Sequence, residues 1–224
     1  IVVIDIDERS LQAVGHWPWR RDLLARMVDE LLQRQQVAVL GFDVLFSEAD
    51  TSSGLPVLRQ LAQGPLRDQS GFAEQLGRLT PELDFDARFA AAVRGQPVVL
   101  GFYFTSDRDG NTRGVLPAPV MDAGAMQGRA VRLLSWTGYG ANVAPLAEAA
   151  PQAGFFNSVT DVDGMVRSIP LLARFQGQYY ESLALAVFRR LSGLPEVRPG
   201  FPAGPGDYQG LESVQLHHAG QLKT

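Results

Sequence analysis

The sequence predicts a mixed α/β fold, in which helices flank a partly parallel central sheet, a βαβ unit stands at the N-terminus and an antiparallel hairpin comes later. Three observations lead there. Two apolar, β-branched runs, 1–7 and 37–46, bracket a segment whose apolar residues recur at helical spacing. A second helix and strand follow over 84–105. Asp161-Val162-Asp163-Gly164 is a tight-turn signal ahead of a strand-like stretch.

In chain order, Ile1 to Asp7 is a nearly continuous β-branched run, suited to a strand buried on both faces. Asp7 is placed to cap a helical turn that starts at Glu8. From Arg20 to Gln35, residues Leu23, Leu24, Met27, Val28, Leu31 and Leu32 lie three and four apart and draw one helix face. Strand, helix and strand with short joints predict a parallel pair.

Over 49–81, Ser52-Ser53-Gly54, Gly64-Pro65 and Ser70-Gly71 break the chain into short helices and loops, while Leu55, Leu58, Leu61, Phe72 and Leu76 demand burial. A helix over 84–94 and a strand over 98–105 follow, then a hairpin turn at 107–111. The stretch 112–143 reads least clearly, with a strand at 131–136. A short helix at 145–150 and a strand at 154–157 precede the Asp-Gly turn. The strand after that turn, 165–175, contains Pro170, which requires an edge, a bulge or a missing ladder bond. A helix over 181–191, a Pro- and Gly-rich surface loop over 195–210, and a strand at 214–216 whose Gly220 turn has no partner complete the reading.

Bulk properties exclude several functions. The 20 basic and 24 acidic side chains are mixed along the chain, so a net charge of −4 leaves no electrostatic footprint for nucleic acid or an anionic membrane. The absence of cysteine removes thiol catalysis, disulfides and thiolate metal sites. No apolar run of about 18 residues is present to span a bilayer. The 224 residues suit a single domain, with 49–81 and 112–143 as variable excursions. The chain starts inside an apolar strand and stops beside an unpartnered one, which reads as a piece cut from a longer protein at both ends.

Asp5, Asp7, Asp43 and Glu48 stand at strand ends, where they could gather around a hard cation such as magnesium or calcium. They could equally cap helices and pair with arginines. Trp17-Pro18-Trp19-Arg20-Arg21 offers indole faces and guanidinium groups to a ligand, or simply covers a core edge. The two arginines face an unfavourable helix dipole there, a tension that a carboxylate such as Asp7 or Asp43 would relieve. Asp161-Val162-Asp163-Gly164 resembles the start of a calcium loop, but position twelve is Leu172 rather than glutamate, so a hairpin turn fits better. No nucleophile elbow, zinc-type histidine spacing or phosphate-cradling loop occurs around His16, His217 and His218. No catalytic residue, metal site or cofactor is therefore expected.

Several stretches together resemble the CHASE2 domain: Ile4–Leu11, Gly15–Arg21 (Gly-x-Trp-Pro-Trp-x-Arg), Gly41–Glu48 and Gly154–Asn157. Asp161–Leu171 (Asp-x-Asp-Gly-x-Val-Arg-x-x-Pro-Leu) and Tyr179–Leu185 continue the series in the family's order. The resemblance implies an extracytoplasmic sensory domain of a bacterial transmembrane receptor, at the periplasmic face of the inner membrane. The output implied is a cytoplasmic cyclase or a histidine or serine/threonine kinase. The partner would be a small molecule, an ion or a protein stimulus, with homodimerisation also open and nucleic acid not expected. A pocket at the strand ends would be lined by Asp7, Trp17, Arg20, Asp43 and Glu48. Two competing readings are a metal-dependent hydrolase on the acidic strand ends and a ligand-free dimerisation module.

Overall fold

Asp7 accepts hydrogen bonds from the Ser10 amide at 2.8 Å and the Ser10 hydroxyl at 2.6 Å, and so opens the first helix, α1 (Glu8–Val14). The computed structural model describes residues 1–203, 210–218 and 221–223. They fall into two compact units, Ile1–Gln36 with Ala49–Arg94, and Val37–Glu48 with Gly95–Thr224.

The first unit is helical among its described residues. After α1 come α2 (Arg21–Asp29), which runs on into a π-helical turn over Glu30–Arg34, then α3 (Leu55–Gln63), α4 (Phe72–Leu83) and α5 (Phe85–Val93). α2 packs against α5, and the two helices bury Leu24, Ala25, Val28, Phe85, Phe89, Ala90 and Val93. The expected stripes at 20–35 and 84–94 are the faces used. Asp84 ends α4 and caps α5, accepting from the Ala87 amide at 3.0 Å.

Ile1 to Asp7 joins no ladder, and Ile1, Val2 and Val3 are exposed. β-Branched residues favour a pleated surface, but a strand exists only where a neighbour takes its backbone hydrogen bonds. The parallel pair with a helical crossover is present one strand later. In the second unit β1 (Leu40–Gly41) pairs in parallel with β2 (Val98–Thr105), and residues 49–94 connect them.

β2 organises the second unit. Its first residues pair with β1, and its last pair antiparallel with β5 (Gly138–Gly140), beside which β3 (Thr112–Arg113) lies in parallel. Its middle pairs in parallel with β6 (Ala153–Phe155). The turn at 107–111 therefore does not close a hairpin, because β5 intervenes between β2 and β3. Gly101 in β2 could carry no side chain, since a Cβ would sit 2.5 Å from the Phe42 carbonyl oxygen and 2.8 Å from the Phe156 ring.

The expected strand over 37–46 is a true ladder only at Leu40–Gly41, and its later backbone groups are met otherwise. The Phe46 amide donates to Asn142 Oδ1 at 3.0 Å, and Asn142 Nδ2 donates to the Gly101 carbonyl at 2.9 Å. Asn142 is buried, and its amide does the work of a strand edge. Asn157 does the same for Phe104, bonding both its amide and its carbonyl.

The remaining elements are β4 (Ser135–Trp136), α6 (Ala144–Ala149), β7 (Val159–Thr160), β8 (Val166–Ser168), β9 (Leu172–Phe175), β10 (Gln178–Glu181), α7 (Leu183–Leu191), β11 (Glu196–Gly200), β12 (Ser213–His218) and β13 (Gln221–Lys223). β7 and β8 form the hairpin around the Asp-Gly turn. The predicted strand over 165–175 splits into β8 and β9 at Ile169-Pro170-Leu171, as a proline without an N–H requires. β9 pairs with β10 and β4, and Phe102, Phe104, Phe155, Phe175 and Tyr180 pack edge to face around them in the main core.

The proline-rich stretch after 195 is in part a strand. β11 is the edge of a three-stranded sheet with β12 and β13, where Pro199 is tolerated. β13 supplies β12 with the partner the sequence reading lacked. Residues 204–209 of the expected loop and the Gly220 turn lie outside the described residues. The whole is a mixed α/β protein with parallel and antiparallel pairs.

Candidate functional site

The five residues singled out from the sequence divide between the units. Asp7, Trp17 and Arg20 belong to the first, Asp43 and Glu48 to the second. Asp7 is exposed, and its bonds from the Ser10 hydroxyl and amide hold its carboxyl below the ordinary aspartate value. Trp17 is exposed and meets Trp19 edge to face at 5.9 Å across the cis Trp17–Pro18 bond, while Trp19 Nε1 donates to the Gly15 carbonyl at 2.8 Å. Asp43 is exposed. Glu48 pairs with Arg113 at 2.6 Å on the surface, where such a pair adds little stability.

The strongest electrostatic feature of the first unit is a cluster that the sequence reading only half anticipated. Arg20 meets Asp22 through two hydrogen bonds of 3.0 and 2.9 Å and lies over the Phe85 ring at 4.5 Å. Arg21 and Asp22 are buried. The Arg21 guanidinium pairs with Asp86 on α5, and the Arg21 amide donates to Asp50 Oδ2 at 2.8 Å. The Asp50 amide in turn donates to Asp86 Oδ2 at 3.0 Å. Three segments far apart in sequence are thus closed into one ring of bonds.

That ring resolves the dipole problem of two arginines at a helix start. The partners are Asp22 and Asp86, not Asp7 or Asp43, and Asp50 caps α2 from a distance by satisfying one of its orphan N–H groups. Burial works to raise the pKa of Asp50. The Ser52 hydroxyl, the Arg21 and Ser52 amides and the Arg21 charge outweigh it and hold Asp50 below its ordinary value.

In the second unit, the Asp-x-Asp-Gly turn is neutralised from within. Arg167 reaches Asp161 at 2.8 Å and Asp163 at 2.9 and 2.7 Å, and the Met165 amide donates to Asp163 at 3.1 Å. These carboxylates lock a hairpin.

A second buried pair was not foreseen. Glu181, at the end of β10, is buried and ion-paired with Arg189 on α7, while its other oxygen, Oε2, is buried with no hydrogen-bond partner. Burial pushes its carboxyl up to about 7 against the pull of Arg189. The adjacent Ser182 accepts from the Leu185 amide at 3.3 Å and caps α7. The signal available in the sequence was a glutamate placed just before a helix cap, with an arginine two turns along the helix.

Among the described residues no group of three or more histidine, aspartate or glutamate side chains is arranged to hold a metal ion, and no helix is long and apolar enough to cross a membrane. A family model, the CHASE2 domain, matches residues 1–221, nearly the whole chain. Neither the curated proteins nor the solved structures yield a match.

Proposed function

Because the chain belongs to the CHASE2 family of extracytoplasmic sensory domains, we propose that it is the input domain of a bacterial transmembrane receptor, stationed at the periplasmic face of the inner membrane and coupled to a cytoplasmic cyclase or kinase. The observation that carries this reading is the extent of the family match, over residues 1–221. Sensing rather than catalysis is the family's work, and a non-catalytic role needs only groups that bind. The ligand contacts we propose are Trp17 and Arg20 with Asp7 in the first unit, and Asp43 and Glu48 in the second.

A stimulus acts by binding one conformation of such a domain more tightly than another. The clamp at Arg21 joins segments distant in sequence and the pair at Glu181 joins β10 to the last turn of α7, and such joints suit a domain that must keep two arrangements distinct. Excising residues 1–221 from the full receptor is expected to abolish stimulus-dependent output and leave basal output in place. A receptor that still answers its stimulus without them refutes the reading. For the contacts, Asp43→Ala and Trp17→Ala should each shift the dose–response midpoint while the purified chain keeps its circular-dichroism melt. Unshifted midpoints with intact folding remove those residues from the proposed ligand contacts of their units.

A further inference from the structure

The Glu181–Arg189 pair links the end of β10, just ahead of α7, to the last turn of that helix, and its geometry is unusual for a structural ion pair. Arg189 Nε donates to the Pro195 carbonyl at 3.0 Å while its Nη1 meets Glu181. One arginine therefore ties the end of β10 to the turn that starts the three-stranded sheet. That turn is strained. Leu194 has φ +58°, a left-handed conformation that branched residues rarely adopt, and its amide is held by the Arg189 carbonyl at 2.7 Å. Strain of this kind persists only while neighbours enforce it.

The Glu181 end of the tie is incompletely satisfied. A buried carboxylate has room for several donors, yet Oε2 meets none. The ionised form is thus favoured by one arginine and penalised by a bare oxygen in an apolar setting. Among the described residues, the charged groups on the neighbouring elements are exposed or bonded elsewhere. β9 places Leu172 opposite Glu181, and its one charged residue, Arg174, is exposed. β6 contributes Ala153 to Phe155 and no charge. On α7, Arg190 donates to the Gln96 carbonyl at 3.3 Å, and on β11 exposed Glu196 pairs with Arg198 at 2.7 Å.

We propose that Glu181 and Arg189 form a proton-operated latch: ionised Glu181 draws Arg189 in to pin the Pro195 carbonyl, and protonated Glu181, which stays buried as a neutral acid, releases it so that the Gly193–Pro195 turn opens. The carboxyl value of about 7 puts that transition in the range of external pH that a bacterium meets. The proton would then be the class of stimulus read by this unit. The stimulus role rests on the sensory reading, whereas the latch itself does not.

The test is amide hydrogen exchange on the 224-residue chain, corrected for intrinsic rates, between pH 5.5 and 8.5. The amides from Ser192 to Val197 should lose at least about tenfold in protection on acidification, with a midpoint near 7. Glu181→Gln should make protection there independent of pH, and replacing His217 and His218 by Gln should leave the midpoint in place. Wild-type protection that is flat across the range overturns the latch, whether or not the variants fold. So does a transition that survives Glu181→Gln or disappears with the histidines. No receptor output enters the measurement, so the latch stands or falls apart from the sensory reading.

Discussion

Two buried arginine–aspartate or arginine–glutamate pairs, one in each unit, are built to opposite standards. In the first, Asp86 spends one oxygen on the Arg21 guanidinium and the other on the Asp50 amide, and Asp50 returns a bond to the Arg21 amide. In the second, Glu181 spends one oxygen on Arg189 and leaves the other bare. A buried carboxylate that is left half satisfied drifts toward its neutral form. The same pairing of residue types therefore yields a fully bonded clamp in one place and a half-satisfied joint in the other.

The comparison breaks most directly at the clamp. Asp86→Ala removes one partner of the buried Arg21 pair together with the acceptor of the Asp50 amide, so it is expected to destabilise the chain by about 3–5 kcal/mol. Urea unfolding at pH 7.5 measures this, and a loss below about 1 kcal/mol would mean that water replaces the ring at little cost.

The next largest effect is pH-dependent. The folded-state pKa of Glu181, about 7, lies above its ordinary value of 4.5, so between those values the native chain holds a proton that the unfolded chain has released. Stability contributed at this site is therefore intact below pH 4.5, declines as pH rises and is fully lost above 7. The fall amounts to roughly 3 kcal/mol. Glu181→Gln should flatten that part of the stability–pH curve, while Asp86→Ala should leave its slope unchanged. If the two variants flatten the curve alike, the distinction between clamp and latch fails.

How much of this could be read in advance depended on whether a residue's partner was local. The strand at 98–105, the helix at 85–93 and the Asp-Gly hairpin were legible because periodicity and turn chemistry are properties of neighbours in sequence. The run at 1–7 shows the limit of propensity, since its five β-branched residues make no strand without a ladder partner. β11 was hidden by Pro199, which an edge strand accommodates. Within the candidate site, Asp7 was legible as a helix cap and Arg20 as needing a carboxylate. Asp50 and Asp86 were not, because Asp86 lies 65 positions from Arg21 and nothing in the local pattern marks either aspartate.

Asn142 shows the same non-locality in an uncharged group, and it gives the third prediction. Its side-chain amide satisfies the Phe46 amide and the Gly101 carbonyl at once, both in the interior of the second unit. Asn142→Leu conserves volume but orphans both groups, which should cost about 1–3 kcal/mol for each one left dry. Asn142→Asp restores only the acceptor, so it should recover the Phe46 bond and not the Gly101 bond. Melting temperatures in the order wild type, Asp, Leu would support the two-sided role.

The smallest effect expected is at Ser182. Its hydroxyl caps α7, and its amide donates to the Leu171 carbonyl at 2.9 Å, a bond that any residue there would keep. Ser182→Ala should therefore cost only the cap, about 1 kcal/mol. The residue also sits next to Glu181, so this variant separates a latch that depends on α7 from one that depends on the turn beyond it. A cap that frays the start of α7 leaves Arg189, two turns further on, in place. The pH midpoint of stability should then stay near 7 while the whole curve drops. A midpoint that moves with the cap would mean that the first turn of α7, rather than Arg189 and Pro195, sets the ionisation of Glu181, and the contrast with Asp86 would have to be redrawn around helix packing.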